Sequence, residues 1–172
     1  IVPQLIQLKR PETEWVALTN DLYERFGYRK ILLFANSRRA CDELFGWLNA
    51  SGRFQGCCGL HYSNLQPKAR QQVEQQFRQQ RQALCISTST LELGIDIGDV
   101  DSVILFEPPD SSAAFLQRIG RANRRQAQTV FWGICQGKQA DTQLLRFMAL
   151  LRLARQGQIE VAPAREFPSV LI

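Results

Sequence analysis

Two stretches of this sequence place chemistry-bearing side chains at spacings that a phosphate ligand can use. The first is Ser111–Arg125, SSAAFLQRIGRANRR, where Arg118, Arg121 and Arg124 recur every third residue around Gly120. No Asp or Glu occurs from 111 to 140, so these arginines have no acidic neighbour in sequence. A guanidinium is a rigid, permanently charged fork that matches phosphate oxygens, and several together neutralise charge developing on a transferred phosphoryl group. A solvated basic helix face is the plainer reading of such a row. The second stretch is Ser87–Asp101, STSTLELGIDIGDVD. Its hydroxyls can donate to a phosphate backbone, Gly94 lets the main chain approach a ligand, and the Asp96 carboxylate suits a ribose hydroxyl. A Ser/Thr-capped turn entering a helix is the plainer alternative. Asp96 and Glu107 also stand at the first and last positions of a calcium-loop frame. Gly98 and Val100 fill the intermediate ligand positions, so that site is excluded.

These residues need a scaffold, and the hydrophobic pattern names one. Apolar runs at Lys30–Ala35, Gly56–His61, Ala83–Ser87, Ser102–Glu107 and Thr129–Cys135 are continuous, as expected for strands covered on both faces. Amphipathic segments separate them. Residues 13–26 bring Val16, Leu18, Leu22 and Phe26 near one face, and residues 37–50 do the same with Ala40, Leu44, Trp47 and Leu48. From Pro67 to Gln80, Ala69, Val73 and Phe77 share a stripe behind a proline suited to a first helical turn. Ser111 or Ser112 can cap a helix that turns Phe115 and Ile119 inward. Residues 138–158 form a last helical pattern, stopped at Gly157. Alternating strands and helices predict an α/β fold, an open and mainly parallel sheet with helices on both faces. In such sheets ligands gather in the loops after the strands, where both motif stretches lie.

Composition bounds the function. A chain of 172 residues makes one domain, and at this size about 70% of the unfolded surface is buried. Hydrophobic residues at 45% and charged residues at 22% exclude a disordered chain. Apolar runs are as short as Ile31–Ala35, so no membrane span is predicted. The N-terminus has no signal-peptide pattern, and a cytoplasmic setting is expected. The net charge of +5 comes from 17 Arg and only 4 Lys. A general compositional bias, also visible in 19 Gln, is an alternative source of that excess. The five Cys read as reduced thiols, and a single His leaves no metal site. The missing initiator Met and the apolar SVLI end are read as the edges of a piece of a longer protein.

With these residues in view, the chain resembles the second, C-terminal RecA-like lobe of superfamily 2 DEAD/DEAH-type helicases. QRIGRANR is similar to their motif VI, TSTLELGIDIG to motif V, and ILLFANSRRACDEL to motif IV. LHYSNLQPKARQQVEQQF resembles the His-containing segment between them, and the motif V phrasing is nearest to the large helicase-related (Lhr-like) proteins. The resemblance spans about Lys30 to Cys135. It implies that Arg121 and Arg124 are arginine fingers toward the γ-phosphate of ATP held on an N-terminal lobe. Gln117 and Arg118 would bridge to the nucleotide and the facing lobe, with Gly94 and Asp96 beside the ribose. Ser37, Arg38, Thr88 and Ser89 would meet a DNA or RNA backbone, and His61 is a candidate contact, against the plainer reading of a buried His at the end of a strand. Asn123 departs from the family's glycine there, and Asn tolerates left-handed backbone.

The resemblance also implies that residues 1–137 are the lobe, and that 138–172 form a helical extension leading toward a further domain. The sequence contains neither G-x-x-x-x-G-K-[ST] nor a D-E-x-H run. The expected function is therefore half of a helicase that shares ATP and Mg²⁺ with another lobe and is inactive by itself. A non-catalytic nucleic-acid or protein-binding module is the alternative.

Overall fold

Continuous apolar runs flanked by amphipathic segments fold here as the pattern predicts, into a parallel sheet packed on both faces. The computed structural model describes residues 1–62, 65–88, 99–122 and 129–157. In chain order the elements are β1 (Val2–Leu8), α1 (Pro11–Glu24), β2 (Lys30–Ala35), α2 (Arg38–Ala50), β3 (Cys58–His61) and α3 (Pro67–Gln79). There follow β4 (Ala83–Ser87), β5 (Ser102–Phe106), α4 (Ser112–Ile119), β6 (Val130–Gln136) and α5 (Ala140–Arg155), the last entered through a 3-10 turn at Gly137–Gln139. The strands lie in the order β1-β6-β5-β2-β4-β3. Every neighbouring pair is parallel. This is the RecA-like α/β architecture expected from the sequence.

The two-residue period of a strand divides the core into two layers. Ile31, Leu33 and Ala35 of β2 face Trp15 and Leu22 of α1 and Leu44 and Leu48 of α2. Leu32 and Phe34 point the other way, into a layer with Phe77 of α3, Phe115 of α4 and Phe147 of α5. Burial on both faces is why β2, β4 and β5 carry no polar alternation. In the second layer Phe131 of β6 stands edge-on to Phe115, with centroids 5.2 Å apart, and 6.3 Å from Phe147. The helix after residue 138 therefore contributes to the core of the lobe.

At Gly133, β6 packs closely against Leu5 of β1 and Phe147 of α5. A Cβ there would lie 2.7 Å from Leu5 Cδ2 and 3.1 Å from Phe147 Cε2. Gly133→Ala should therefore cost about 1–3 kcal/mol through overpacking, read as a lower denaturant midpoint with an unchanged slope.

Three departures from the sequence expectation have physical causes. Strand β1 has no counterpart among the expected runs: its Gln4 and Gln7 interrupt the apolar pattern, and Pro3 reads as a breaker. An edge strand is paired on one side only, so it tolerates both. Helix α1 ends at Glu24, and its buried face is Trp15, Thr19, Leu22 and Tyr23. Phe26, expected on that face, lies past the helix and is 50% exposed. Strand β5 stops at Phe106 because Glu107 takes a φ of +74°, outside the strand region.

Candidate functional site

All strands being parallel, their following loops emerge along one edge of the sheet. Strand β2 runs into Asn36, Ser37 and Arg38, β3 into Tyr62, β4 into Thr88 and β5 into Glu107. Ser37 has extended backbone and caps α2, its Oγ accepting from the Ala40 amide at 3.1 Å. That bond uses an oxygen lone pair and leaves the hydroxyl proton free to donate outward. Arg38, the first residue of α2, is exposed. Near it the Tyr62 hydroxyl donates to Asp42 Oδ1 at 3.2 Å. Burial and that carboxylate hold the phenol above its ordinary pKa, so Tyr62 stays neutral. Thr88 is half-buried, and its carbonyl accepts from Ser87 Oγ at 2.9 Å.

Helix α4, which carries Arg118, follows from the same edge. Ser111 caps α4 through the Ala114 amide at 3.1 Å, and Phe115 and Ile119 anchor the helix in the core. The helix ends at Ile119, with Gly120 as its cap, so Arg118 lies in its last turn and Arg121 beyond it. Arg118 is 5% exposed. Its Nη1 donates to Asn36 Oδ1 at 2.9 Å, and the guanidinium sits 5.5 Å from the Phe34 ring centre. Asn36 Nδ2 in turn donates to the Pro108 carbonyl at 2.9 Å. Arg118 is thus tied within the lobe. Arg121 follows in the turn, half-buried, its amide donating to the Arg118 carbonyl at 3.2 Å. Gln117 is exposed on the same helix. Ser89, Gly94, Asp96 and Arg124 lie outside the described residues.

The turn from β5 into α4 is held from several sides. Glu107 has φ +74° although it carries a side chain and precedes a proline. Left-handed backbone disfavours an L residue by about 1–2 kcal/mol. Its carboxylate Oε1 accepts from Gln136 Nε2 and Gln143 Nε2, both at 3.3 Å. Gln143 Oε1 accepts from the Gln136 amide at 2.7 Å. From α5, Arg146 Nη2 approaches the Pro109 carbonyl and Asp110 Oδ1 at 3.4 Å.

His61, a candidate nucleic-acid contact, sits inside the lobe, as the plainer reading of a buried His at a strand end has it. Its side chain is 0% exposed and its Nε2 lies 2.9 Å from Glu74 Oε1, a hydrogen bond between β3 and α3. The strand that carries it turns this residue inward, and Tyr62, the next residue, takes the edge position. Sequence reasoning overlooked Asn36, Tyr62 and Glu107. Only adjacency to Ser37 and His61 hinted at the first two, and nothing local hinted at the third. Among the described residues no group of acids, His or Cys converges to hold a metal ion, and no helix is long and apolar enough to cross a membrane.

Comparison with known proteins agrees with this layout. Residues 16–126 match the family model "Helicase conserved C-terminal domain". The ATP-dependent helicase Lhr-Core of Methanocaldococcus jannaschii is 37% identical over 98 residues, covering 57% of this chain and 11% of that protein. The chain therefore spans about a tenth of that relative's length. The structure of Mycobacterium smegmatis helicase Lhr bound to ssDNA and AMP-PNP aligns over 94% of this chain and 22% of that one, with a TM-score of 0.72 and 29% identity. The C-terminal domain of the DEAD-box protein Dbp5 shares the fold, with a TM-score of 0.68 and 23% identity over 92% of this chain and 87% of that one. With the family model covering most of its length, the chain belongs to the helicase C-terminal domain family, with Lhr helicases among its relatives.

Proposed function

We propose that this lobe is the second motor lobe of an ATP-dependent nucleic-acid helicase and works against an N-terminal lobe that holds the phosphates of ATP. One observation carries the reading. Asn36 joins the strand end leading to Ser37 and Arg38 with Arg118 of the arginine helix, through bonds of 2.9 Å. The backbone-contacting loop and the phosphate-contacting helix are thereby two sides of one tie.

A triphosphate suits the side chains at this edge. Arg121 stands half-buried in a turn within a stretch free of acidic residues, the donor set expected for an anion. Bound ATP brings the γ-phosphoryl group and, with Mg²⁺ held on the other lobe, the charge that the arginines meet. Arg121 and Arg124 stabilise that charge as the phosphoryl group is transferred to water. Arg118 holds the helix in place, Gln117 faces the other lobe, and Gly94 and Asp96 border the ribose. Ser37, Arg38, Thr88 and Ser89 take the phosphates of a single strand of DNA or RNA, while Tyr62 adds an aromatic face beside Arg38. Closure of the lobes on ATP, and opening after hydrolysis, moves the strand along this track. The lobe alone does not turn over ATP, since its sequence contains neither a phosphate cradle nor the acids that hold a metal.

The test uses the two-lobe parent. Its ATPase should rise on adding single strands. Arg38→Ala should raise the strand concentration giving half-stimulation roughly five- to tenfold, reduce the salt dependence of binding by about one phosphate contact, and leave the KM for ATP in place. A folded parent whose ATPase ignores nucleic acid would remove the reading.

A further inference from the structure

We propose that Glu107 is a positioning residue for the arginine helix, and that α5 sets the helix's placement through Gln143. This rests on the reading of Arg121 as a phosphate-contacting residue. The observation behind it is a backbone conformation that its own residue disfavours. Glu107 has φ +74°, a region that glycine adopts freely and glutamate does not, and it precedes Pro108, which disfavours that region further. A chain that needed only a turn here would be served by glycine. The carboxylate supplies what glycine lacks: an acceptor for the side-chain amides of Gln136 and Gln143, each at 3.3 Å.

The remaining contacts converge on the same few residues. The Glu107 amide donates to the Ile134 carbonyl at 3.1 Å, so the turn is tied to β6 through its main chain as well. The Pro108 carbonyl is held by Asn36 at 2.9 Å, and the Pro109 carbonyl and Asp110 lie at 3.4 Å from Arg146 of α5. Four residues later Ser111 caps α4, and two turns on come Arg118 and Arg121. Gln143 is 8% exposed and is fixed by the Gln136 amide at 2.7 Å. The family match ends at residue 126, before α5 begins. The helix after the motif-bearing region thus grips the turn that aims the motif, and a displacement of α5 reaches Arg121 through Glu107.

Kinetics of the two-lobe parent separate this role from a merely structural one. Glu107→Gly relieves the backbone and deletes the anchor, so it should melt at or above the wild-type temperature. Its kcat for nucleic-acid-stimulated ATP hydrolysis should nonetheless fall roughly 10–100-fold, with the KM for ATP and the strand affinity held within about twofold. Glu107→Gln keeps an oxygen acceptor at the same place and should retain kcat within about twofold. Gln143→Ala should reproduce the loss, and the double variant Glu107→Gly/Gln143→Ala should be no slower than either single change. If Glu107→Gly melts cooperatively and keeps its turnover, the positioning role is overturned; if it does not fold, Gln143→Ala with normal kcat overturns it. Arg121→Ala runs in parallel. Should that variant retain turnover, the reading beneath fails and this proposal falls with it, whereas a dead Arg121→Ala beside an active Glu107→Gly removes the positioning role alone.

Discussion

Replacing Arg121 with Ala in the two-lobe parent should lower nucleic-acid-stimulated ATP turnover by about 10³–10⁵-fold and leave the KM for ATP within a few-fold. The size follows from where the charge is needed. A guanidinium that meets the γ-phosphoryl group only as it transfers lowers the barrier by about 4–7 kcal/mol and adds little to ground-state binding. Arg121→Lys should recover a small part of the rate, because an ammonium supplies charge without the fork. Arg118→Ala is the informative contrast. Arg118 is 5% exposed and bonded to Asn36, so its removal should also lower the melting temperature. Single-turnover ATP hydrolysis with saturating single strands, alongside thermal melts, measures both. Turnover of Arg121→Ala within tenfold of wild type would end the assignment.

The largest stability effect should come from Phe131→Ala, about 3–5 kcal/mol, seen as a fall in melting temperature of roughly 6–20 °C. Phe131 is 0% exposed in the middle of β6. Its ring joins Phe115 of α4 to Phe147 of α5, at centroid separations of 5.2 and 6.3 Å. Truncation opens a void between two helices and a sheet. Leu145→Ala on the outer side of α5, 66% exposed, is the control and should change stability by less than about 0.5 kcal/mol. The lobe's own melting curve is enough for this measurement. Equal melting of Phe131→Ala and wild type would show that α4 and α5 are held by something other than this aromatic row.

Most of the scaffold is legible before any coordinates. Short, continuous apolar runs bounded by polar residues read as strands buried on both faces, and β2, β4 and β5 fall within a residue of where their hydrophobicity puts them. Helices α2 and α3 are equally plain, because their amphipathic stripes must cover that sheet. The edge strand β1 escaped for the converse reason: with one flank unpaired it needs no clean pattern. Among the candidate site residues, Ser37, Arg38 and Thr88 are marked by type and by position after a strand, and Arg121 by type. The bond that Arg118 makes was not legible, since a three-residue interval says nothing of where the helix stops. Gly120 ends it, and Arg118 turns inward to Asn36.

The sequence by itself determined the class of sheet, the edge at which the loops gather and the positive charge of residues 111–125. Those properties depend on hydrophobic period and on side-chain charge, which are local. Only the tertiary structure decided which polar groups are tied to one another. Asn36 meets Arg118 across 82 positions, and Glu107 meets Gln143 across 36. Such partners are chosen by strand order and helix packing, long-range consequences of burying two apolar faces at once. The disfavoured φ of Glu107 belongs to the same class: no residue type announces it, and the surrounding bonds impose it.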